Sequence, residues 1–348
     1  MSTHSTPPAL LWGVRRYLAA PRAEIAAIRR QPFPGGLSGS RLEYWHLRVR
    51  KGGVASNLTL VYKQGRVVGG AFLQGAPQRE ALAYTHLPGR VPLALPRVVA
   101  LSVPSGEIWM LPFSRTKPTN HWHAAWNESD IHGAIADLAR LHAAFWNQAE
   151  TPEAWPWLLQ PTQADAARQI GDGRAGLERI QSEKWFDASL TPDRVARLLA
   201  LARDPSPMLT ILNAGPMTLL HGDAGFQNVA ITQDGFTRIW FDWQLVGWGP
   251  PALDWVTFLH PWAYPEAQPP LTFPAMSELY LAELARRGCE IAQDAFQHQL
   301  DAALIWRWII QWGPLLGLYR ERLRPQVKAR LDQAFAQLHW PALERFTG

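Results

Sequence analysis

Residues 219–243, LLHGDAGFQNVAITQDGFTRIWFDW, constrain what this chain can fold into more than any other stretch. Leu219 and Leu220 lead into His221-Gly222-Asp223, and Asn228 follows five residues after the aspartate. Two runs of strand-forming residues come next, Val229 to Thr232 and Phe236 to Phe241, separated by Asp234-Gly235. That dipeptide is a strong hairpin signal, because glycine takes positive φ at no steric cost. A turn centred there sets Asn228 opposite Phe241 and beside Asp242 at the open end of the hairpin, with Asp223 in the loop just before it. One carboxylate is then poised as a base and two oxygen ligands are poised for a hard cation. His-Gly-Asp alone reads as well as an ordinary polar loop; the spacing to Asn228 and Asp242 carries the argument.

The chain is 348 residues long, enough for two domains or one large two-lobed unit. Hydrophobic residues make up 47% and charged residues 18%, which describes a globular chain and excludes a disordered one. Cys289 stands alone, so an internal disulfide is excluded and a reducing compartment fits. No run approaches the roughly 18 apolar residues of a membrane span, and Ala9 to Val14 is too short for a signal core. The expected location is the cytoplasm, with no membrane partner. Charge is unevenly spread: through Phe113 there are 14 Lys and Arg against 4 Asp and Glu, and beyond it 20 against 25. A basic first part beside a mildly acidic second part suits a polyphosphate in one and a neutral or cationic compound in the other. Nucleic-acid binding is the rival reading of the basic part. It is disfavoured because the charges are scattered singly and no recognition motif is present, so no nucleic-acid partner is expected.

In chain order, residues 9–20 read as a short amphipathic helix closed by Pro21. From Ala23, Ile25 and Ile28 fit a helix as well as a strand. Pro34 to Ser40 is a small-residue loop, followed by strand-like Leu42 to Val49 and Leu58 to Lys63. Such a loop can lay backbone N–H groups over phosphates, or be a plain hairpin loop; it matches neither a Walker A motif nor G-x-G-x-x-G. An apolar helical pattern runs through Leu82, Tyr84 and Leu87, headed by Glu80, and Val98 to Leu101 and Glu107 to Leu111 complete five strands. Ser129 or Asp130 can cap a helix with its stripe at Ile131, Ile135, Leu138, Leu141 and Phe145. His142 in that stripe reads as a satisfied core histidine before a catalytic one. Residues 151–216 read as an inserted helical segment, with one helix over about 164–182 interrupted by Gly171 and Gly173, and a second capped by Thr191. Ser277 is expected to cap a helix closed by Gly288, and Phe296 to Tyr319 to form an apolar helix broken at Gly313-Pro314.

The pattern D-x-x-x-x-N, hairpin, second Asp resembles the phosphoryl-transfer set of the protein-kinase fold. With His221-Gly222-Asp223 and Phe241-Asp242-Trp243, the chain resembles the branch of aminoglycoside phosphotransferases and choline kinases. The resemblance covers about residues 35–254. It implies an α+β, two-lobed protein-kinase-like fold: a small antiparallel sheet with one main helix, then a larger, mostly helical lobe, divided as 1–113 and 114–348. It implies that ATP sits under a loop including Gly36, Ser38, Gly39 and Ser40. Lys63 would hold the phosphates while paired with Glu80, which lies 17 residues later. Adenine would meet backbone groups of Leu111 and Phe113 on either side of Pro112. Asp223 would be the base for a small-molecule hydroxyl, and Asn228 and Asp242 would hold Mg²⁺. Only eleven residues separate Asp242 from Asp254, too few for a long activation segment, and Gly222 stands where a protein kinase carries arginine. Asp254 reads as a structural acceptor for backbone groups near the catalytic loop, with metal ligation as the lesser alternative. Two rivals stay open: a nucleotide- or ligand-binding protein without turnover, and a metal-dependent hydrolase, which would need more closely spaced histidines. The acceptor itself (amino sugar, other antibiotic, amino alcohol or sugar) and the oligomeric state are undetermined by the sequence.

Overall fold

A five-stranded antiparallel sheet is built from β1 (Glu24–Pro32), β2 (Arg41–Lys51), β3 (Val54–Gln64), β4 (Val98–Ser102) and β5 (Glu107–Met110), in the order β1-β2-β3-β5-β4. The structure is a computed structural model that describes residues 6–32, 40–65, 73–113, 116, 126–259, 271–318 and 325–348. Ile25 and Ile28, which fit either helix or strand in sequence, lie in β1. The register of β1 on β2 shifts between Ile25 and Ala27, and this bulge lets two residues at odd spacing both face the core. That core lies between the sheet and α1 (Pro8–Tyr17), where Leu10 and Val14 pack with Trp45, Leu47, Val49, Leu60 and Trp109. The opposite face carries Lys63, whose cross-strand partner in β2 is Leu42. Beside it runs α2 (Ala76–His86), the one main helix of this half.

The remainder is mostly helical, around a second and larger core. Its scaffold helix, α3 (Glu128–Ala144), is capped by Asn127 and not by Ser129 or Asp130. The Asn127 side chain accepts from Asp130 N, and the Asp130 carboxylate accepts from Asn127 N, a reciprocal capping box. In the 151–216 segment, α4 (Ala166–Ser182) runs through Gly171 and Gly173 without interruption, and α5 (Pro192–Arg203) has Thr191 as its cap. Strand β6 (Thr218–Leu220) pairs with β9 (Gly247–Gly249), and the hairpin β7 (Val229–Ile231) and β8 (Arg238–Trp240) lies between them in sequence. Then come α6 (Ala252–Leu259), α7 (Phe273–Ala285) and α8 (Gln293–Arg307). Helix α7 is capped by Thr272; Ser277 lies inside it, and its hydroxyl accepts from the Trp255 indole N–H at 3.0 Å. Helix α8 gives way to one π turn over Trp308–Trp312 before α9 (Gly313–Gly317), so the irregularity precedes the Gly313-Pro314 pair where the sequence places the break. No helix among the described residues is long and apolar enough to cross a membrane.

Helix α4 meets the π turn and α9 backbone to backbone. A Cβ on Gly176 would stand 2.3 Å from the Gly313 carbonyl oxygen, whereas a Cβ on Gly171 would meet nothing within 4 Å. Replacing either glycine by alanine gains about 0.5–1 kcal/mol of helix propensity. At Gly176 the clash is with backbone that cannot swing aside, and overpacking of that kind costs about 1–3 kcal/mol. Urea unfolding should therefore show Gly171→Ala more stable than the parent and Gly176→Ala less stable.

Candidate active site

The loop after β6 is held from below by one carboxylate. Asp254, fully buried on α6, accepts from His221 N at 2.6 Å and from Gly222 N at 2.7 Å. Its third donor is His142 Nε2 at 3.2 Å, and the other ring nitrogen of His142 meets the Tyr280 hydroxyl at 2.6 Å. His142 is therefore a core residue with both nitrogens satisfied, and Asp254 holds backbone. Ala224 N adds a bond to the Thr257 hydroxyl, one turn along α6. Gly222 has φ +84°, and a Cβ there would stand 1.9 Å from the Leu245 carbonyl oxygen, so this position accepts no side chain. His221 is buried and neutral: Nδ1 accepts from Asp223 N, which leaves the proton on Nε2 for the Phe241 carbonyl at 3.1 Å. Burial pulls its pKa below the usual histidine value.

The hairpin has the register its turn residues imply, with Val229 opposite Trp240. Phe241 N donates to Asn228 O at 2.9 Å, so Asn228 faces Phe241 and stands next to Asp242. The Asn228 amide nitrogen donates to the Asp223 carbonyl at 2.8 Å and to Asp223 Oδ2 at 2.9 Å. Asp242 has φ +66° and ψ +55°, a left-handed conformation that a β-carbon disfavours. Asp242 is reached from the sheet: Lys63 Nζ lies 2.6 Å from its Oδ1 and 2.8 Å from Glu80 Oε2. Burial works against the ammonium, but the charges of Asp242 and Glu80 outweigh it and hold Lys63 above its ordinary pKa. Burial raises Glu80, and the Lys63 charge offsets only part of that.

Helix α2 grips the same segment at two further points. Asp242 N donates to the Tyr84 hydroxyl at 3.2 Å, and Arg79 Nη1 donates to the Gln244 carbonyl at 2.9 Å. Sequence reasoning singled out Glu80 on this helix and missed Arg79 and Tyr84, whose targets are backbone atoms some 160 residues away. Leu111 N is taken by the Arg97 carbonyl, and the Phe113 ring stands 5.1 Å from that of Phe241. Ser40 sits at the foot of β2; Gly36, Ser38 and Gly39 lie outside the described residues, as does Arg320. Among the described residues no group of three or more His, Cys, Asp and Glu is arranged for a metal.

Asp223 is half-buried, and burial together with the neighbouring Asp242 carboxylate pushes its pKa up to about 6, against the opposing charge of Arg307. Arg307, at the end of α8, is buried with its Nη1 on the Val256 carbonyl at 3.0 Å, so it serves α6 directly. One group able to accept a proton near neutrality thus sits beside a lysine–carboxylate cluster and a side-chain amide, where the sheet and α2 meet the loop after β6.

A small antiparallel sheet followed by a larger, mostly helical part is the layout of a protein-kinase-like fold. The model of the phosphotransferase enzyme family, APH, matches residues 71–291, well over half of the chain, and the chain belongs to that family. The matched range includes Glu80 and the whole of the loop from His221 to Asn228; Lys63 lies just before it. No curated protein sequence matches the chain. Among solved structures it is similar to the GDP complex of wild-type aminoglycoside 2'-phosphotransferase-IIIa, at 14% identity over 98% of each chain with a TM-score of 0.54. It is also similar to an ethanolamine kinase from Plasmodium vivax, at 9% identity over 87% of this chain and 84% of that one, TM-score 0.51. A third is the ternary complex of streptomycin, ATP and APH(2")-IIa, at 12% identity over 91% and 97%, TM-score 0.50. At such identities these likenesses establish the fold.

The raised pKa of Asp223 has a consequence for stability. The folded state binds this proton more tightly than the unfolded chain, whose Asp titrates near 4, so ionising Asp223 destabilises the fold. No penalty exists below about pH 4, and it is complete above the folded value of about 6. Asp223→Asn removes the charge and keeps the shape. Thermal or urea unfolding should show it more stable than the parent by about 1–3 kcal/mol at pH 8, with no gain at pH 4.

Proposed function

We propose that the protein is an ATP-dependent phosphotransferase that moves the γ-phosphate to a hydroxyl of a neutral or cationic small molecule. The observation that carries this reading is the convergence of two groups: Lys63 and Glu80 from the sheet and α2 meet Asp242, whose charge acts on Asp223, and Asp223 is itself held by Asn228. Lys63, steadied by Glu80, would hold nucleotide phosphates beneath the loop that ends at Ser40, and Leu111 and Phe113 would meet the base. Asn228 and Asp242 suit a hard divalent cation. The amide nitrogen of Asn228 is committed to Asp223, so its oxygen is what it can offer; Asp242 adds a carboxylate. The mutual repulsion of Asp223 and Asp242 is also the surplus charge that Mg²⁺ would neutralise. When bound, the cation supplies charge neutralisation on the phosphate oxygens. Asp223 orients the acceptor hydroxyl in line with the phosphorus and takes its proton, a task matched to a pKa near the working pH. Aminoglycosides and ethanolamine, named with the similar structures, are hydroxyl-bearing amines, in keeping with an acceptor side that carries excess acid beyond Phe113.

The alternative is a nucleotide- or ligand-binding protein without turnover. One observation favours it: Lys63 already has counter-charges within the protein, in Glu80 and Asp242, and so is not left waiting for a phosphate.

A screen of neutral, cationic and phosphorylated hydroxyl compounds for nucleotide consumption, at matched concentration and low ionic strength, separates the two. Turnover is expected with a neutral or cationic acceptor, and Asp223→Asn should lose about 10²–10⁴-fold of it while still binding nucleotide. A loss under tenfold would remove Asp223 as the base, and preference for a phosphorylated acceptor would overturn the charge argument.

Metal binding can be read separately by titrating nucleotide with and without Mg²⁺. Asp242→Ala should weaken the Mg²⁺-dependent part more than Asn228→Ala, because a carboxylate holds the cation by charge and an amide only by its dipole. Nucleotide affinity indifferent to Mg²⁺ and to both changes would remove the two residues as ligands.

A further inference from the structure

Gln227 enters none of the roles given above, yet its side chain lies on the catalytic loop. Its amide nitrogen donates to Asp223 Oδ1 at 3.3 Å, while Asn228 holds Oδ2 at 2.9 Å. Which end of the amide faces Asp223 follows from chemistry, since an ionised carboxylate only accepts. The Gln227 oxygen is left buried, with no hydrogen-bond partner among the described residues. A methionine would fill this volume without leaving a buried carbonyl unsatisfied, so packing alone does not account for an amide here.

The neighbouring glycine makes the placement possible. A Cβ on Gly225 would stand 2.3 Å from Gln227 Oε1 and 2.4 Å from Nε2, so the amide occupies the space a side chain at 225 would take. Gly225 has φ −71° and ψ 160°, a conformation open to any residue, and backbone freedom gives no reason for glycine at this position. The atoms it clears are the tip of a flexible side chain and not backbone.

We infer that Gln227 is a positioning residue for Asp223, and that Gly225 is the opening through which it reaches the carboxylate. With one donor on each oxygen, the plane of the Asp223 carboxylate is fixed from both sides, and each oxygen keeps a lone pair for an incoming hydroxyl. Orientation of that kind governs how often the hydroxyl is presented in line with the phosphorus, and leaves nucleotide binding alone.

The inference rests on Asp223 as the base, and the experiment keeps the two apart. Turnover is measured for the parent, Asp223→Asn, Gln227→Met, Gly225→Ala and the double variant Gly225→Ala/Gln227→Met. The substrate is the best acceptor from the screen, or water where none is found. Gln227→Met and Gly225→Ala should each lower kcat about tenfold. Nucleotide KM and Tm should stay near parental values, since methionine keeps the volume and alanine suits the backbone at 225. Because both changes remove one contact, the double variant should be no worse than either single one. Parental kcat in Gln227→Met, with Asp223→Asn inactive, overturns this inference and leaves the base in place. So does a double variant whose losses multiply. Turnover retained by Asp223→Asn, or absent from the parent, removes the base assignment and this inference together.

Discussion

A buried carboxylate, Asp254, holds the loop that carries Asp223 in shape. An unpaired charge in that position would cost several kcal/mol, and the fold meets the cost with three donors: two consecutive backbone N–H groups and a histidine ring. Charge-assisted bonds to backbone are short and directional, so His221 and Gly222 are fixed in orientation as well as position. Everything downstream of Gly222 inherits that geometry, including the direction in which Asp223 leaves the loop. Helices α3, α6 and α7 meet at this point, because His142 bridges Asp254 to Tyr280. The packing of three helices is thereby transmitted to one three-residue turn.

The sheet reaches the site through α2. Arg79, Glu80 and Tyr84 lie within two turns of that helix and engage the Gln244 carbonyl, the Lys63 ammonium and the Asp242 amide. Withdrawal of α2 would therefore release Lys63, Asp242 and the following turn at once. Asp242 keeps a left-handed backbone while Tyr84 holds its amide and Lys63 its carboxylate, which is how a strained conformation persists. The tryptophans do different work: Trp45, Trp109, Trp240, Trp243, Trp255, Trp306, Trp308 and Trp312 are fully buried and pack the two cores.

Local chemistry made much of this legible in the amino-acid sequence. The turn between Thr232 and Thr237 is centred on Asp234-Gly235, so that dipeptide was enough to set Val229 against Trp240 and Asn228 against Phe241. Caps are less legible: Thr191 caps α5 as its sequence implies, while Asn127 and Thr272 take the place that the sequence gives to Ser129 or Asp130 and to Ser277. A serine inside a helix has the same composition signal as a cap, and only the backbone angles separate them. Strand β1 was ambiguous because its bulge breaks the two-residue alternation on which the reading depends.

By itself the sequence determined the hairpin and the spacing of Asp223, Asn228 and Asp242, because turn preference acts over a few residues; the fold class followed from the family those motifs resemble. Tertiary structure decided which other groups join them. Arg79 and Tyr84 find backbone atoms of the Asp242 segment, Arg307 brings its charge near Asp223, and Tyr280 completes the His142 bond to Asp254. Gln227 is the limiting case, four residues from Asp223 in sequence and still invisible there. Its contact depends on a turn that folds the side chain back over a glycine, and that turn is set by Asp254 and Thr257 from a helix some 30 residues later. Pairings that close over long loops leave no periodic trace in sequence, since what selects them is the packed geometry of the finished fold.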